Sequence, residues 1–203
     1  MTQEINRLPV MEDFYTIQGE GANSGKPAYF IRLGGCDVGC HWCDVKESWE
    51  ASKHPTYTIE ELLRKVKEFN CNNVVITGGE PCMYDLSHLT SLLKENDCNI
   101  WLETSGAYPI KGTFDWICVS PKKFKAPLEE ALKAAHELKV VVFNPSDFSW
   151  AEKNAKEVSP ACQLFLQPEW EKEAKMLPWL IQYVKDHPQW RLSLQTHKYM
   201  KIP

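Results

Sequence analysis

No stretch of this sequence is a long apolar run, and nothing approaches the roughly 18 consecutive apolar residues of a membrane span. A membrane-spanning helix is therefore not expected. The opening residues, MTQEINRLPVMEDFYTIQGEG, lack the apolar core of a secretory leader, so a cytoplasmic location is expected. There is no excess of positive charge either: 23 Lys and Arg face 27 Asp and Glu, for a net charge of −4. A chain without a basic field is a poor candidate for direct nucleic-acid binding. Internal repeats, low-complexity tracts and linkers are also missing, and 203 residues suffice for one substantial core. One domain over residues 1–203 is the simplest organisation.

Cysteine, by contrast, is plentiful, with eight residues. In reducing surroundings such a chain uses cysteines as ligands more often than as bridges. Cys71, Cys82, Cys98, Cys118 and Cys162 are scattered singly and read as small buried apolar side chains. Cys36, Cys40 and Cys43 fall within eight residues, directly after an apolar run. A loop that crowded cannot form good disulfides within itself, but it can converge three thiolates on one centre. Three sulfurs suit a zinc site that borrows a histidine such as His41, or a four-iron cluster with one iron left open.

The remaining pattern alternates strand and helix. Strands are expected at 14–17, 28–33, 73–77, 99–103, 116–119, 139–143, 163–166 and 191–194. Helices are expected at 58–69 with Thr58 as N-cap, and at 86–94, 127–138, 150–158 and 171–186. This spacing predicts an α/β fold, a partial, mostly parallel (β/α) barrel of about six strands with abbreviated helices. The strands read as apolar runs rather than alternating ones, as in sheets covered on both faces. Between the first two strands, Gly19, Gly21 and Gly25 mark a loop that, taken alone, reads as a plain surface turn.

The strand ends are more informative. After successive strands come the cysteine loop, Thr77-Gly78-Gly79-Glu80-Pro81, Glu103-Thr104-Ser105-Gly106 and Ser120-Pro121-Lys122-Lys123. Gln167-Pro168-Glu169 and Gln195-Thr196-His197-Lys198-Tyr199 follow two later strands. In a parallel barrel all six lie on the carboxyl-terminal face, where such folds carry their chemistry. The three clustered thiols differ from the paired, separated ligands of structural zinc. Asp37, Asp44 and Glu47 also oppose a nucleic-acid-binding zinc knuckle. The open-iron reading is the better one.

Cys36-x3-Cys40-x2-Cys43 after one strand and Gly78-Gly79-Glu80-Pro81 after the next resemble the radical S-adenosylmethionine (SAM) superfamily. A narrower resemblance covers nearly the whole chain. Residues 14–21 (FYTIQGEG), 30–36 (FIRLGGC) and 194–198 (LQTHK) are similar to the 7-carboxy-7-deazaguanine synthases. The resemblance implies a carbon–nitrogen lyase that converts 6-carboxy-5,6,7,8-tetrahydropterin to 7-carboxy-7-deazaguanine with loss of ammonia, on the route to queuosine and other 7-deazapurines.

It further implies that Cys36, Cys40 and Cys43 hold a [4Fe-4S] cluster whose open iron chelates SAM. Trp42, Asp44, Gly78, Gly79, Glu80, Ser120, Pro121, Lys122 and Gln167 would bind SAM, with the Glu80 carboxylate on the methionyl ammonium. Ile17, Gln18, Gly19 and Glu20 would read the pterin edge, with Arg32 on its carboxylate and Thr77, His197 and Pro203 beside it. Glu20, Asp44 and His197 are candidates for the late acid–base steps. A flavodoxin- or ferredoxin-type reductant and a homodimer are implied as partners. One departure stands out: the family commonly has Cys-Asp-Thr, whose threonine helps bind a Mg²⁺. Here Val45 occupies that place, and valine cannot ligate a hard cation. Mg²⁺ use is thus in question, with the Lys46 ammonium as a substitute. Two other readings stay open: a small activase of glycyl-radical enzymes, which share the cysteine spacing, and a zinc-binding interaction module.

Overall fold

The structure, a computed structural model, describes residues 6–203; the leader reading of residues 1–5 lies outside them. The chain begins with β1 (Arg7–Ile17) and β2 (Pro27–Leu33), then β3 (Thr56–Thr58) and α1 (Ile59–Lys67). There follow β4 (Asn73–Gly78), α2 (Ser87–Lys94), β5 (Asn99–Thr104) and β6 (Trp116–Val119). Next come α3 (Glu129–Ala134), β7 (Glu137–Val142), α4 (Ser146–Ala155) and β8 (Gln163–Pro168). The last elements are α5 (Glu173–Asp186), β9 (Trp190–Leu192) and α6 (Thr196–Met200).

The strands form one sheet in the order β3-β1-β2-β4-β5-β6-β7-β8-β9. From β2 to β9 all neighbours are parallel, giving seven parallel strands where about six were expected. β1 lies antiparallel to β2 and β3 and extends the sheet beyond the parallel part. The expected partial barrel is present. Among the described residues no helix is long and apolar enough to cross a membrane.

Local chemistry sets the element boundaries. Thr58 caps α1 in a capping box: its hydroxyl accepts from Glu61 N (3.2 Å) and its own N–H donates to Glu61 Oε2 (2.7 Å). The expected helix at 127–138 is only six residues long, because Glu137 and Leu138 pair with Cys118 and Val119 as part of β7. Sheet pairing there overrides helix propensity. α4 starts four residues before the expected Trp150, since Asp147 Oδ2 accepts from Phe143 N and Asn144 N (2.8 and 2.9 Å) and fixes the turn. β9 stops at Leu192, and the unexpected α6 follows Gln195.

The two faces of the sheet differ. Outward-facing Ile31, Ile76, Ile100, Leu102, Leu138 and Val140 pack with Leu62, Leu89 and Leu180 of the helices in the main core. The inner face carries only a small apolar group, Ala28, Phe30, Val75 and Trp101. Two residues on in each strand, the inner positions turn polar: Arg32 after Phe30, Thr77 after Val75 and Glu103 after Trp101. The strands therefore alternate, contrary to the expectation of plain apolar runs. The inner face is a polar cavity rather than a second helix-covered core.

Candidate active site

Each end of the cysteine loop is tied to the fold. Gly35 N donates to Ser48 O (2.6 Å), Cys36 N to Trp49 O (3.1 Å) and Cys43 N to Cys40 O (3.0 Å). Asp37 accepts from Lys125 Nζ at 2.9 Å and from the Tyr108 hydroxyl. All three thiols are free and line one cavity together with Trp42, Gly78, Gly79, Ser120, Lys122 and Gln167. Burial pushes the Cys36 thiol above its ordinary value and Cys40 up to about 11, with the neighbouring cysteines adding to the effect. Metal loading must therefore displace protons. The Lys122 ammonium lies 5.9 Å from the centre of the Trp42 ring and donates to Ser120 Oγ (2.7 Å).

The Gly78-Gly79 segment clamps onto that loop. Gly79 N donates to Leu33 O (2.9 Å) and Glu80 N to Gly35 O (2.8 Å). Gly78 has φ +143°, and a Cβ there would sit 2.2 Å from Leu33 O; one on Gly79 would sit 2.3 Å from Gly35 O. Only glycine allows so close an approach. Glu80, expected to reach the methionyl ammonium, is instead fully buried. Its Oε1 accepts from Cys82 N (2.9 Å) and Thr104 Oγ1 (2.6 Å), and its Oε2 from Ser105 N (2.8 Å) and the Ser105 hydroxyl. Both oxygens are engaged in joining β4 to β5. Glu80→Ala is expected to cost about 3 kcal/mol, since four donors lose a charged acceptor in a dry site. At roughly 3 °C per kcal/mol for a chain of this size, the melting temperature should drop by about 10 °C.

A second cavity adjoins the first. It is lined by Ile17, Gln18, Gly19, His197, Lys198 and Pro203, and it shares Glu20, Arg32, Asp44, Val45, Thr77, Glu103 and Gln195 with the cysteine-lined one. The 18–20 loop is therefore no plain turn. Thr196 N and Oγ1 both donate to Gly19 O (3.0 and 2.9 Å), seating α6 on the loop. A side chain at Gly19 would collide with His197 Nδ1 at 2.3 Å. The Pro203 carbonyl, at the far end of the chain, accepts from Thr16 Oγ1 (3.3 Å).

Charged groups cross the shared wall. Lys139, buried on β7, donates to Glu20 Oε2 (2.6 Å) and Glu103 Oε2 (2.9 Å). Gln195 Nε2 donates to Glu20 Oε1 (2.9 Å), and Gln18 Nε2 to Glu103 Oε1 (3.2 Å). Burial alone would raise the Glu20 carboxyl, but Lys139 and Gln195 hold it down at about 2. Burial also lowers His197. Arg32 donates through Nε to Glu12 (2.7 Å), while the residue still borders both cavities.

Most of the residues expected at the site thus converge on the two cavities. Pro121 does not border them, and Lys46 is exposed on the 3-10 turn Lys46–Trp49 and borders neither. The ammonium beside Asp44 and Val45 is that of Lys198, whose Nζ donates to Asp44 Oδ2 (2.7 Å). Glu103 and Gln195 stand in strand-end segments expected to carry chemistry but have no expected role of their own, and Lys139 lies outside those segments. Of the five scattered cysteines, Cys82, Cys98 and Cys118 are buried as expected, but Cys71 and Cys162 are only half-buried.

The donor set suits the group that the cysteine motif implies. In a four-iron cluster each thiolate binds a different iron and one iron is left open, which suits three thiols that border one open cavity.

Comparison with known proteins agrees with this geometry. Residues 30–146, more than half of the chain, match the model of the radical SAM superfamily. The chain is 53% identical over 196 residues to 7-carboxy-7-deazaguanine synthase of Flavobacterium psychrophilum, covering 97% of this chain and 93% of that protein. It is 50% identical to the Synechocystis synthase, covering 96% and 93% of the two chains. The crystal structure of QueE from Escherichia coli superposes with a TM-score of 0.83 at 34% identity, covering 93% of each chain. Neither an activase of glycyl-radical enzymes nor a zinc-binding module is favoured by these relatives. The chain is an enzyme of the radical SAM superfamily and belongs, within it, to the 7-carboxy-7-deazaguanine synthases.

Proposed function

We propose that this chain, as one radical SAM domain, converts 6-carboxy-5,6,7,8-tetrahydropterin to 7-carboxy-7-deazaguanine with loss of ammonia, in the cytoplasm, for queuosine or another 7-deazapurine. The observation that carries the reading is the pair of adjoining cavities, one lined by the three thiols and one by residues 17–20 and the chain end. Family membership supplies the reaction. Cys36, Cys40 and Cys43 would hold the [4Fe-4S] cluster, and Trp42, Gly78, Gly79, Ser120, Lys122 and Gln167 would hold SAM. Bound together, these groups supply one-electron cleavage chemistry and removal of hydrogen from the substrate.

The protein's own task is to bind, orient and exclude water. Gln18 and Glu20, with the backbone of residues 17–19, face the pterin's amino-pyrimidinone edge, and Glu103 adds a second carboxylate acceptor. The Lys139 ammonium and the Gln195 amide favour the ionised form of the Glu20 carboxyl, which makes it an acceptor for ring N–H groups. His197 closes the cavity over Gly19. A one-electron donor of flavodoxin or ferredoxin type and a homodimer complete the proposal. Anaerobic reconstitution followed by incubation with SAM, reductant and the carboxypterin tests it: the deazaguanine should form, and a cluster-loaded enzyme that leaves the pterin untouched contradicts it.

The substrate carboxylate is proposed to meet Arg32 and Lys198, with no hard-cation ligand supplied by Val45. Turnover by reconstituted enzyme should survive chelation with EDTA. Lys198→Ala should raise KM about tenfold, as expected for loss of one charge-assisted contact, while Lys46→Ala stays within about twofold. Activity abolished by EDTA and restored by Mg²⁺ would overturn this arrangement.

A further inference from the structure

Lys139 is an ammonium sealed inside a barrel, only 4% exposed, at a strand position where the neighbouring outer residues Leu138 and Val140 belong to the core. Buried lysines are rare unless they are paired. Its partners are unusual in number: one ammonium serves two carboxylates, Glu20 from the loop after β1 and Glu103 from the end of β5. Both carboxylates border both cavities, and each uses its other oxygen to orient an amide, Gln195 on Glu20 and Gln18 on Glu103.

We propose that Lys139 is a positioning residue: it holds Glu20 and Glu103 side by side as two ionised acceptors, so that one planar donor edge of the substrate is read by both. The inference rests on the pterin reading above and deepens it. Without the ammonium, two carboxylates would share one desolvated space, and like charges so placed cannot both stay ionised. One would take up a proton, turn from acceptor to donor, and face the substrate's own N–H groups.

The other cations on these walls are paired elsewhere: Arg32 donates to Glu12 (2.7 Å) and Lys198 to Asp44 (2.7 Å). Lys122, across the cavity, is held by Ser120. Burial keeps the imidazole of His197, from α6, below its ordinary value and so disfavours a cation there. From β6 comes the Cys118 thiol, pushed well up by burial, which donates weakly to Glu137 Oε1 (3.6 Å). Glu137, on β7, is an acid rather than a base, and its Oε2 already accepts from Ala22 N (3.1 Å) and Trp116 Nε1 (3.0 Å). Among these groups Lys139 is the cation that bonds Glu20 and Glu103.

The test uses reconstituted holoenzyme with SAM but no reductant, and 6-carboxypterin as a fluorescent, non-reacting probe. The dissociation constant is measured from pH 6 to 8.5 for the wild type, Lys139→Met and Lys139→Arg. At each pH the variant is expressed as a ratio to the wild type, which cancels the probe's own titration. For Lys139→Met the ratio should be about 10 to 100 at pH 6, the size of one lost hydrogen bond to a charged group. It should shrink severalfold as pH rises and the shared proton leaves. Lys139→Arg, which keeps the charge, should give a ratio that does not vary with pH. Should Lys139→Met not fold, Lys139→Gln, which keeps a donor and loses the charge, carries the same expectation. A ratio for the neutral variants that is constant over the range overturns the inference while leaving the pterin reading intact. Wild-type holoenzyme that binds no pterin overturns both.

Discussion

Cys40→Ala protein, reconstituted anaerobically, is expected to be colourless, to cleave no SAM and to make no product. The loss should be at least about 10⁴-fold, because enzymatic accelerations are about 10⁶-fold or more and none of the chemistry survives without the cluster. The fold should persist. Cys40 is buried as a small side chain in a loop held by backbone hydrogen bonds from Gly35, Cys36 and Cys43, none of which uses its sulfur. Removing one buried sulfur costs about 1–2 kcal/mol, well below total stability. Far-ultraviolet circular dichroism and the melting temperature of the cluster-free proteins check this. Iron and sulfide analysis should give about four of each per wild-type chain and little in the variant. A variant that keeps the brown chromophore and its activity contradicts the ligand assignment.

Glu20→Ala should separate the two cavities. Its carboxylate stands on the wall the two cavities share, bonded to Lys139 and Gln195, whereas the thiols line only the first cavity. Loss of a charged acceptor costs about 1.5–3 kcal/mol of binding, so KM for the carboxypterin should rise about 10- to 100-fold. Reductive cleavage of SAM in the absence of pterin should remain within about twofold of wild type. Equal loss of both activities would mean that the wall is not divided in this way. The same carboxyl also bears on acid stability. Its folded pKa of about 2 lies below the ordinary 4.5, so between those values the unfolded chain binds more protons than the folded one. Glu20 therefore contributes stability above about pH 4.5 that is lost as pH falls toward 2, and Glu20→Ala should flatten that part of the acid unfolding curve.

The motifs were the legible part. Three thiols at fixed spacing and a Gly-Gly-Glu-Pro after the next strand need particular residue types, so both stand out from the sequence. Their neighbours were less readable for identifiable reasons. The Gly-Gly-Glu-Pro motif marks Glu80 as a ligand contact; only the fold shows Cys82, Thr104 and Ser105 occupying it. Lys139 is obscured because the helical pattern runs on to residue 138, which sets it at the start of a strand rather than opposite Phe165 within one. Val74-Val75-Ile76 and Ile100-Trp101-Leu102 look like uniform apolar runs, because the inner face is apolar at mid-strand and polar only at the ends. A period-two reading carried past each run would have placed Thr77 with Val75 and Glu103 with Trp101. The short α6 has no side-chain cap and is held by contacts to Gly19, so nothing local announces it.

The central proposal is that the thiol-lined cavity holds SAM and the residue 17–20 cavity holds the pterin, so that the hydrogen removed is the one on C6, the carbon that carries the carboxylate. It is tested most directly with 6-carboxytetrahydropterin deuterated at C6. Reconstituted enzyme with SAM and reductant should form 7-carboxy-7-deazaguanine and pass the deuterium into the recovered SAM, as detected by mass spectrometry. Product formed with no deuterium in SAM or its cleavage products, or SAM cleaved while the pterin is returned unchanged, contradicts it.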